Sequence, residues 1–481
     1  MREGLPYTIG AVSTVSEIDG VDAAEFEAVQ KIRKGQTYNP ALIENNIARM
    51  ENLALKKGLN FVRIEPRVTR DDRNQAVDIE FAIVKGERIF VERIDIEGNA
   101  TTLDQVVRRQ FRSVEGDPFN PREIRQSAER IRALGFFSDA KVDAQQGSSP
   151  DQVVVNVDVE EQPTGSLNFG LSYSVSSGTG FNISFSESNF LGRGQALAIS
   201  LANTTDTQNS SFSFTEPSLL GRDLSLTLGA YYRTSDNDNA LYQTRNIGLT
   251  FGIGFPVGDQ SRLDLRYRVS EDRMYNYSRP LVDPLYSSII AAEVAQDALI
   301  TSALGYTYEF DNRITGLNPK GGVLLRFGQE FAGLGGDTKY VSTTALGVVE
   351  TRIMNEEVAV RAIFEGGYIA SLSGYETRSI DRFFGRGKIR GFEPSGLGPR
   401  VGNSIDGDAL GGNAFVVARF EADFPLGLPE EYGITGGAFV DVGSVWSLDN
   451  TYADTVDDSF NPRVAVGISV CLLYTSDAAD E

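Results

Sequence analysis

From residue 165 to about residue 470 the chain repeats one pattern, in which apolar residues occupy every second position over segments of roughly ten residues. One segment sets Leu224, Leu226, Leu228, Ala230 and Tyr232 on one face, with Ser225, Thr227 and Gly229 between them. Another alternates Leu263, Leu265, Tyr267 and Val269 with Asp264, Arg266 and Arg268. A third alternates Val416, Ala418, Phe420, Ala422 and Phe424 with Arg419, Glu421 and Asp423. Successive side chains of a strand point to opposite faces, so each segment reads as a strand with one apolar face. A soluble antiparallel sheet alternates in the same way. Length separates the two. Soluble strands run to about five or six residues, whereas a strand that crosses a bilayer needs about nine to eleven. About fourteen such segments are present, and charges opposite an apolar face fit a water-filled lumen. A transmembrane β-barrel is expected over residues 163–470.

Composition narrows the function classes. The net charge of -21 opposes binding of a polyanion, so no nucleic-acid partner is expected. The chain has no histidine, which removes the commonest general base and the commonest metal ligand. Its single cysteine, Cys471, excludes an internal disulfide and a thiolate metal cluster. No cofactor, metal site or catalytic residue is expected, and an enzymatic role is set aside for want of a nucleophile–base pair. No apolar run is long enough for a membrane-spanning helix. Met1-Arg2-Glu3-Gly4 does not resemble a signal peptide, so a chain truncated at its front is expected.

The first 160 residues contain a repeat. Tyr38-Asn39-Pro40 recurs as Phe119-Asn120-Pro121, in each case an N-cap asparagine before a proline suited to the first helical turn. A helical stripe follows: Ile43, Ile47, Met50 and Ala54, then Ile124, Ala128, Ile131 and Leu134. Each stripe stops near a glycine, Gly58 or Gly135. Two strands close each copy, the last alternating as Val77, Ile79, Phe81, Ile83 and as Val153, Val155, Val157, Val159. A strand and a shorter helix precede each copy, over 7–18 with 23–33 and over 88–97 with 103–111. Two β-α-α-β-β modules are thus expected, over 1–86 and 87–162, each leaving a sheet edge for a partner strand.

Between two barrel segments lies residues 371–412, too long for a hairpin and of a length usually tied to function. It holds Phe383-Phe384-Gly385-Arg386-Gly387, Ile389-Arg390-Gly391-Phe392, Gly396-Leu397-Gly398-Pro399-Arg400 and Asp408-Ala409-Leu410-Gly411-Gly412-Asn413. Glycines permit close backbone approach in a confined space, and an arginine in that setting suits a planar ion pair with carboxylates. A phosphate-binding reading fails, because no strand–loop–helix context or P-loop lysine is present.

Ile389-Arg390-Gly391-Phe392 resembles the (V/I)RG(F/Y) signature in the sixth extracellular loop of the BamA/TamA superfamily, and the match is nearest to its BamA branch. The Asp408–Asn413 run and Gly437–Trp446 resemble segments that follow that signature. Ile96-Glu97-Gly98-Asn99, Leu134-Gly135-Phe136-Phe137 and Thr164–Gly170 resemble the family's last two POTRA modules and its entry into the barrel. The resemblance implies α+β POTRA modules in the periplasm and an antiparallel outer-membrane barrel of sixteen strands, about fourteen of them here. It implies a central subunit of the β-barrel assembly machinery that folds and inserts outer-membrane proteins. Its partners would be unfolded outer-membrane clients, Bam-type lipoproteins, periplasmic chaperones and outer-membrane lipid. It implies a loop tucked into the lumen, with Arg390 paired to Glu421 and Asp441, both on the polar side of their strands by the alternation. It further implies a lateral gate at the first strand, around 165–174, where Leu167, Phe169, Leu171 and Tyr173 face lipid and client strands add to the backbone edge. Cys471 to Glu481 departs from the pattern, ending polar without a terminal aromatic, and reads as a non-native tail after a truncated barrel. Rival readings are a two-partner-secretion or TamA-like translocation protein of the same superfamily, and a passive porin.

Overall fold

In a computed structural model, residues 7–472 are described apart from 37, 39, 60, 74, 87–88, 175–177, 205–206, 237–240, 259, 314–320, 355–357, 386, 394, 428–433 and 453. Asn39, Arg386 and residues 473–481 of the tail, all named above, lie outside them. The chain divides into two compact units, Met1–Pro163 and Thr164–Glu481.

The first unit holds two modules of one topology. The first contains β1 (Thr8–Ser16), α1 (Ala23–Ala28), α2 (Pro40–Lys56), β2 (Val62–Asp71) and β3 (Ala76–Lys85), with the strands in the order β1-β3-β2. The second contains β4 (Phe90–Glu97), α3 (Asp104–Arg108), α4 (Pro121–Ala133), β5 (Phe137–Gln146) and β6 (Gln152–Glu161), in the order β4-β6-β5. The central strand of each pairs parallel with the first and antiparallel with the hairpin partner. The alternating residues of the central strands form the core. Ile79, Phe81 and Ile83 pack with Phe26, Ile43 and Met50, and Val155 and Val157 pack with Val106, Ile124 and Ile131. Asn120 caps α4 by accepting from the backbone N–H of Arg122 at 3.0 Å. The first helix is shorter than its expected 23–33. Past Ala28 the Lys31 backbone N–H donates to Asn46 Oδ1 of α2 at 3.1 Å, and residues 35 and 36 exchange backbone hydrogen bonds with Ile9 in β1, at 2.7 Å each. Gly98, in the Ile96–Asn99 motif, has φ of +89°, and a Cβ there would fall 1.9 Å from the Val159 carbonyl oxygen.

The second unit is built on one antiparallel sheet of fourteen strands, matching the count of periodic segments. These are β7 (Gly165–Ser174), β8 (Gly178–Phe190), β9 (Gln195–Thr204), β10 (Thr207–Glu216), β11 (Ser225–Asp236), β12 (Gln243–Gly258) and β13 (Ser261–Tyr275). They continue as β14 (Leu299–Asp311), β15 (Gly322–Ala332), β16 (Tyr340–Ile353), β17 (Val358–Ser371), β18 (Ala414–Pro425), β19 (Ile434–Trp446) and β20 (Arg463–Leu472). Each pairs with its sequence neighbours, and among the described residues no ladder joins β7 to β20. A further helix, α5 (Ser288–Val294), lies in the connection after β13.

The alternation sorts the two faces. In β18, Val416 and Phe420 are 43% and 45% exposed, while Phe415 and Val417 on the opposite face are buried. Phe212, Leu228, Leu249, Leu304, Phe327 and Phe364 continue the exposed apolar face around the sheet. A soluble monomer rarely exposes so large a contiguous apolar surface. A lipid-facing belt around a polar interior accounts for it.

Candidate functional site

The connection between β17 and β18 folds back against the inner face of the sheet. Phe383 and Gly412 exchange backbone hydrogen bonds of 2.9 Å, and Leu410 donates to the Pro399 carbonyl at 3.0 Å. The loop is therefore a ribbon whose turns project inward. At its tip Ile389 is buried against Leu397, Phe415, Val417 and Val445.

Arg390 follows Ile389 and meets the wall of the barrel. Its backbone N–H, Nε and Nη2 all donate to the Asp441 carboxylate, at 3.0, 2.8 and 2.6 Å. Its Nη1 lies 3.0 Å from Glu421 Oε1. The guanidinium also sits 3.6 Å above the centre of the Phe439 ring. The structure thus brings together the three charged residues singled out by the sequence. Asp441 has no solvent-exposed side-chain surface, whereas Arg390 keeps 40% of its own. A buried carboxylate with three donors is a fixed anchor, and the planar fork of arginine matches it.

A second set of contacts holds the base of the loop and has no counterpart in the sequence reading. Arg378 and Asp381 form a buried ion pair at 3.2 Å, and Arg378 Nη1 donates to the Asp272 carbonyl of β13 at 3.1 Å. Arg382 lies 3.3 Å from Glu293 of α5, and both are buried. Burial holds the Glu293 carboxyl above the ordinary glutamate range, against the pull of Arg382. Asp408 is buried between Arg279 at 3.1 Å and the Tyr277 hydroxyl at 2.7 Å. Asp454, from the connection after β19, accepts from the Ser288 and Ile289 backbone N–H groups at 2.9 and 3.2 Å and so caps α5. Three connections are locked together at one end of the barrel. Arg400, an arginine among glycines like Arg390, pairs instead with carbonyl oxygens, including Gly407 at 2.9 Å.

The first barrel strand is the other candidate. All ten residues of β7 are in register with β8 on one side. On the other side, among the described residues, β7 has no partner strand. Leu167, Phe169, Leu171 and Tyr173 project outward and are 57%, 71%, 92% and 76% exposed. At the opposite edge, Val464, Val466, Ile468 and Val470 of β20 are 60% exposed or more. Among the described residues no cluster of metal-ligating side chains occurs.

The sequence profile of the Omp85 superfamily domain matches residues 189–475, more than half of the chain. The chain belongs to the Omp85 superfamily. The POTRA profile, described as a surface antigen variable number repeat, matches residues 7–86 and again 89–162. Among similar proteins, the outer membrane protein assembly factor BamA of Neorickettsia risticii is 29% identical over 97% of this chain and 62% of its own length. BamA of Neisseria meningitidis is 26% identical over 96% of this chain and 60% of its own. The human sorting and assembly machinery component 50 homolog is 22% identical over 76% of this chain and 75% of its own. The chain thus spans about three fifths of the BamA relatives' length. A crystal structure of Haemophilus ducreyi BamA lacking POTRA domains 1–3 shares the fold, with a TM-score of 0.61 at 22% identity over 96% of this chain and 93% of that one. CdiB from Acinetobacter baumannii shares it with a TM-score of 0.53 at 14% identity over 97% and 84%. As an Omp85 protein this is an outer-membrane β-barrel carrying periplasmic POTRA modules.

Proposed function

We propose that this Omp85 chain is the barrel and membrane-proximal POTRA pair of an assembly factor that folds and inserts outer-membrane proteins. A client strand adds to the free edge of β7 through backbone hydrogen bonds, and the apolar outer face of β7 meets lipid at the same time. The observation that carries this reading is the β7 strand, in register with β8 along its length and, among the described residues, without a partner on its other edge. That chemistry needs an unpaired N–H and C=O row rather than a reactive side chain. The clamp of Arg390 on Glu421 and Asp441 serves it by keeping the lumen loop against β18 and β19. Unfolded outer-membrane proteins are the clients, delivered by periplasmic chaperones, with Bam-type lipoproteins docking on the POTRA modules.

Two measurements test this reading. With a photo-cross-linking residue in place of Ser166 or Ser172 on β7, the chain in liposomes should capture an unfolded barrel client. A probe at an interior β12 position should not. In cells that depend on a parent protein carrying it, Arg390→Ala should lower outer-membrane protein levels several-fold. Equal capture at both positions, or wild-type levels with Arg390→Ala, would overturn the proposal. Translocation, as in a two-partner-secretion or TamA-like member of the same superfamily, is a second reading. It predicts passenger protein released on the far side of the bilayer rather than left folded within it.

A further inference from the structure

We propose that Lys388 is a second anchor of the lumen loop, holding its tip to β17 while Arg390 holds it to β18 and β19. Lys388 donates to the Glu365 carboxylate of β17, and its ammonium lies 3.9 Å above the centre of the Phe415 ring. Both partners of the pair are mostly buried, at 18% and 25% side-chain exposure. Glu365 also faces Arg419 at 3.6 Å, and Arg419 stands opposite Asp441 in the β18–β19 register. Lys388, Arg390 and Arg419 are therefore set among Glu365, Glu421 and Asp441, with Arg361 of β17 also reaching Glu421 at 3.5 Å. Removing one cation leaves a half-buried carboxylate under-compensated.

The backbone makes the two anchors separable. Gly387 and Gly391 bracket the tip with φ of +66° and +79°. Within that bracket Ile389 points into the apolar cluster, and the two cations on either side of it reach different strands. Asp441 lies on β19, next to the last strand of the sheet, whereas Glu365 lies two strands further in. The two anchors therefore hold the tip to different strands of the sheet. Lys388 is thus a positioning residue that retains the tip in the lumen when the outer clamp is loosened. The benefit of retention rests on the proposed assembly function, whereas the anchoring itself does not.

The test uses the full chain folded in liposomes and limited trypsin digestion, with cleavage after Arg390 and Arg400 followed by mass spectrometry. Lys388→Gln and Glu365→Gln should each raise the cleavage rate about tenfold, the factor corresponding to about 1.4 kcal/mol. Their combination should be no faster than either alone. Lys388→Arg keeps the charge and the ring contact and should stay within about twofold of the parent. Combining Lys388→Gln with Asp441→Asn should depart from simple multiplication, because Arg419 links Glu365 to Asp441. Sheet content by circular dichroism confirms that each variant is folded, and Glu365→Gln alone decides the matter if Lys388→Gln does not fold. Parent-like cleavage in Glu365→Gln, or equal release in Lys388→Arg and Lys388→Gln, overturns the proposal. Client insertion on the same liposomes is scored separately. If the parent inserts no client while the cleavage pattern holds, the assembly reading fails and the anchor stands.

Discussion

Arg390→Ala should destabilise the barrel by about 2–3 kcal/mol, but by only about 1 kcal/mol more when Asp441 is already Asn. Breaking a fully buried ion pair by removing one partner costs about 3–5 kcal/mol, because the remaining charge is left uncompensated. Asp441 meets that condition, but Arg390 is 40% exposed, so screening by lumen water reduces the figure to about 2 kcal/mol. Loss of the contact with Phe439 adds about 0.5–1 kcal/mol. Asp441→Asn keeps the shape but turns an acceptor toward three donors into a group with its own N–H, and costs about 2 kcal/mol. In the double variant the stranded charge is gone, so the pair should show about 1–2 kcal/mol of coupling. The assay is equilibrium urea unfolding in lipid vesicles, followed by fluorescence. The single tryptophan, Trp446, reports from the strand that carries Asp441 and packs edge-on against Phe460 at 4.9 Å. Single losses that simply add, within about 0.5 kcal/mol, would refute the reasoning. The guanidinium would then be an ordinary lumen charge, with loop position set by the apolar cluster around Ile389.

Two further predictions concern the second POTRA module. Gly98→Ala should destabilise that module by at least about 2 kcal/mol, since φ of +89° and the Val159 carbonyl both oppose a Cβ; hydrogen exchange of the β4 and β6 amides in the full chain reads it. Glu161 should make the same module acid-sensitive. Burial opposes its charge, but hydrogen bonds from Thr102 and Thr101 outweigh burial and hold the carboxyl below the usual glutamate range. A lowered value in the folded state means stability that is fully present above the ordinary glutamate range and lost as pH falls through the lowered one. Glu161→Gln should flatten that pH dependence in hydrogen exchange of the 99–107 amides, and an unchanged slope would reject the assignment.

What the sequence shows is what a period can carry. Strand periodicity places Glu421 and Asp441 on the inner face, because a residue's face is settled by its parity alone. Helical stripes and the Asn120 cap place α4 and its core for the same local reason. Local signals fail where the chain leaves an element to meet a distant one. The first helix is shorter than expected, and Lys31, inside its expected range, instead donates its backbone N–H to Asn46, which no stripe announces. The expected N-cap at Asn39 lies outside the described residues.

The loop divides along the same line. Arg390 stood out through its neighbours in sequence, whereas Arg378 reaches a backbone carbonyl 106 residues away and Ser288 is capped by a carboxylate 166 residues away. Nothing in the spacing of Arg378, Arg382 or Glu293 marks them as partners, yet they are among the most buried charges of the second unit. Buried ion pairs add little net stability over apolar residues of the same size, but breaking one is costly. They therefore act as latches. A loop held at its tip by Arg390 and Lys388, and at its base by Arg378, Arg382 and Asp408, can release one set of contacts without losing the other. The base latches join the loop to β13, α5 and the connection after β13, whereas the tip contacts join it to β17, β18 and β19, so disrupting one set should leave the other in place.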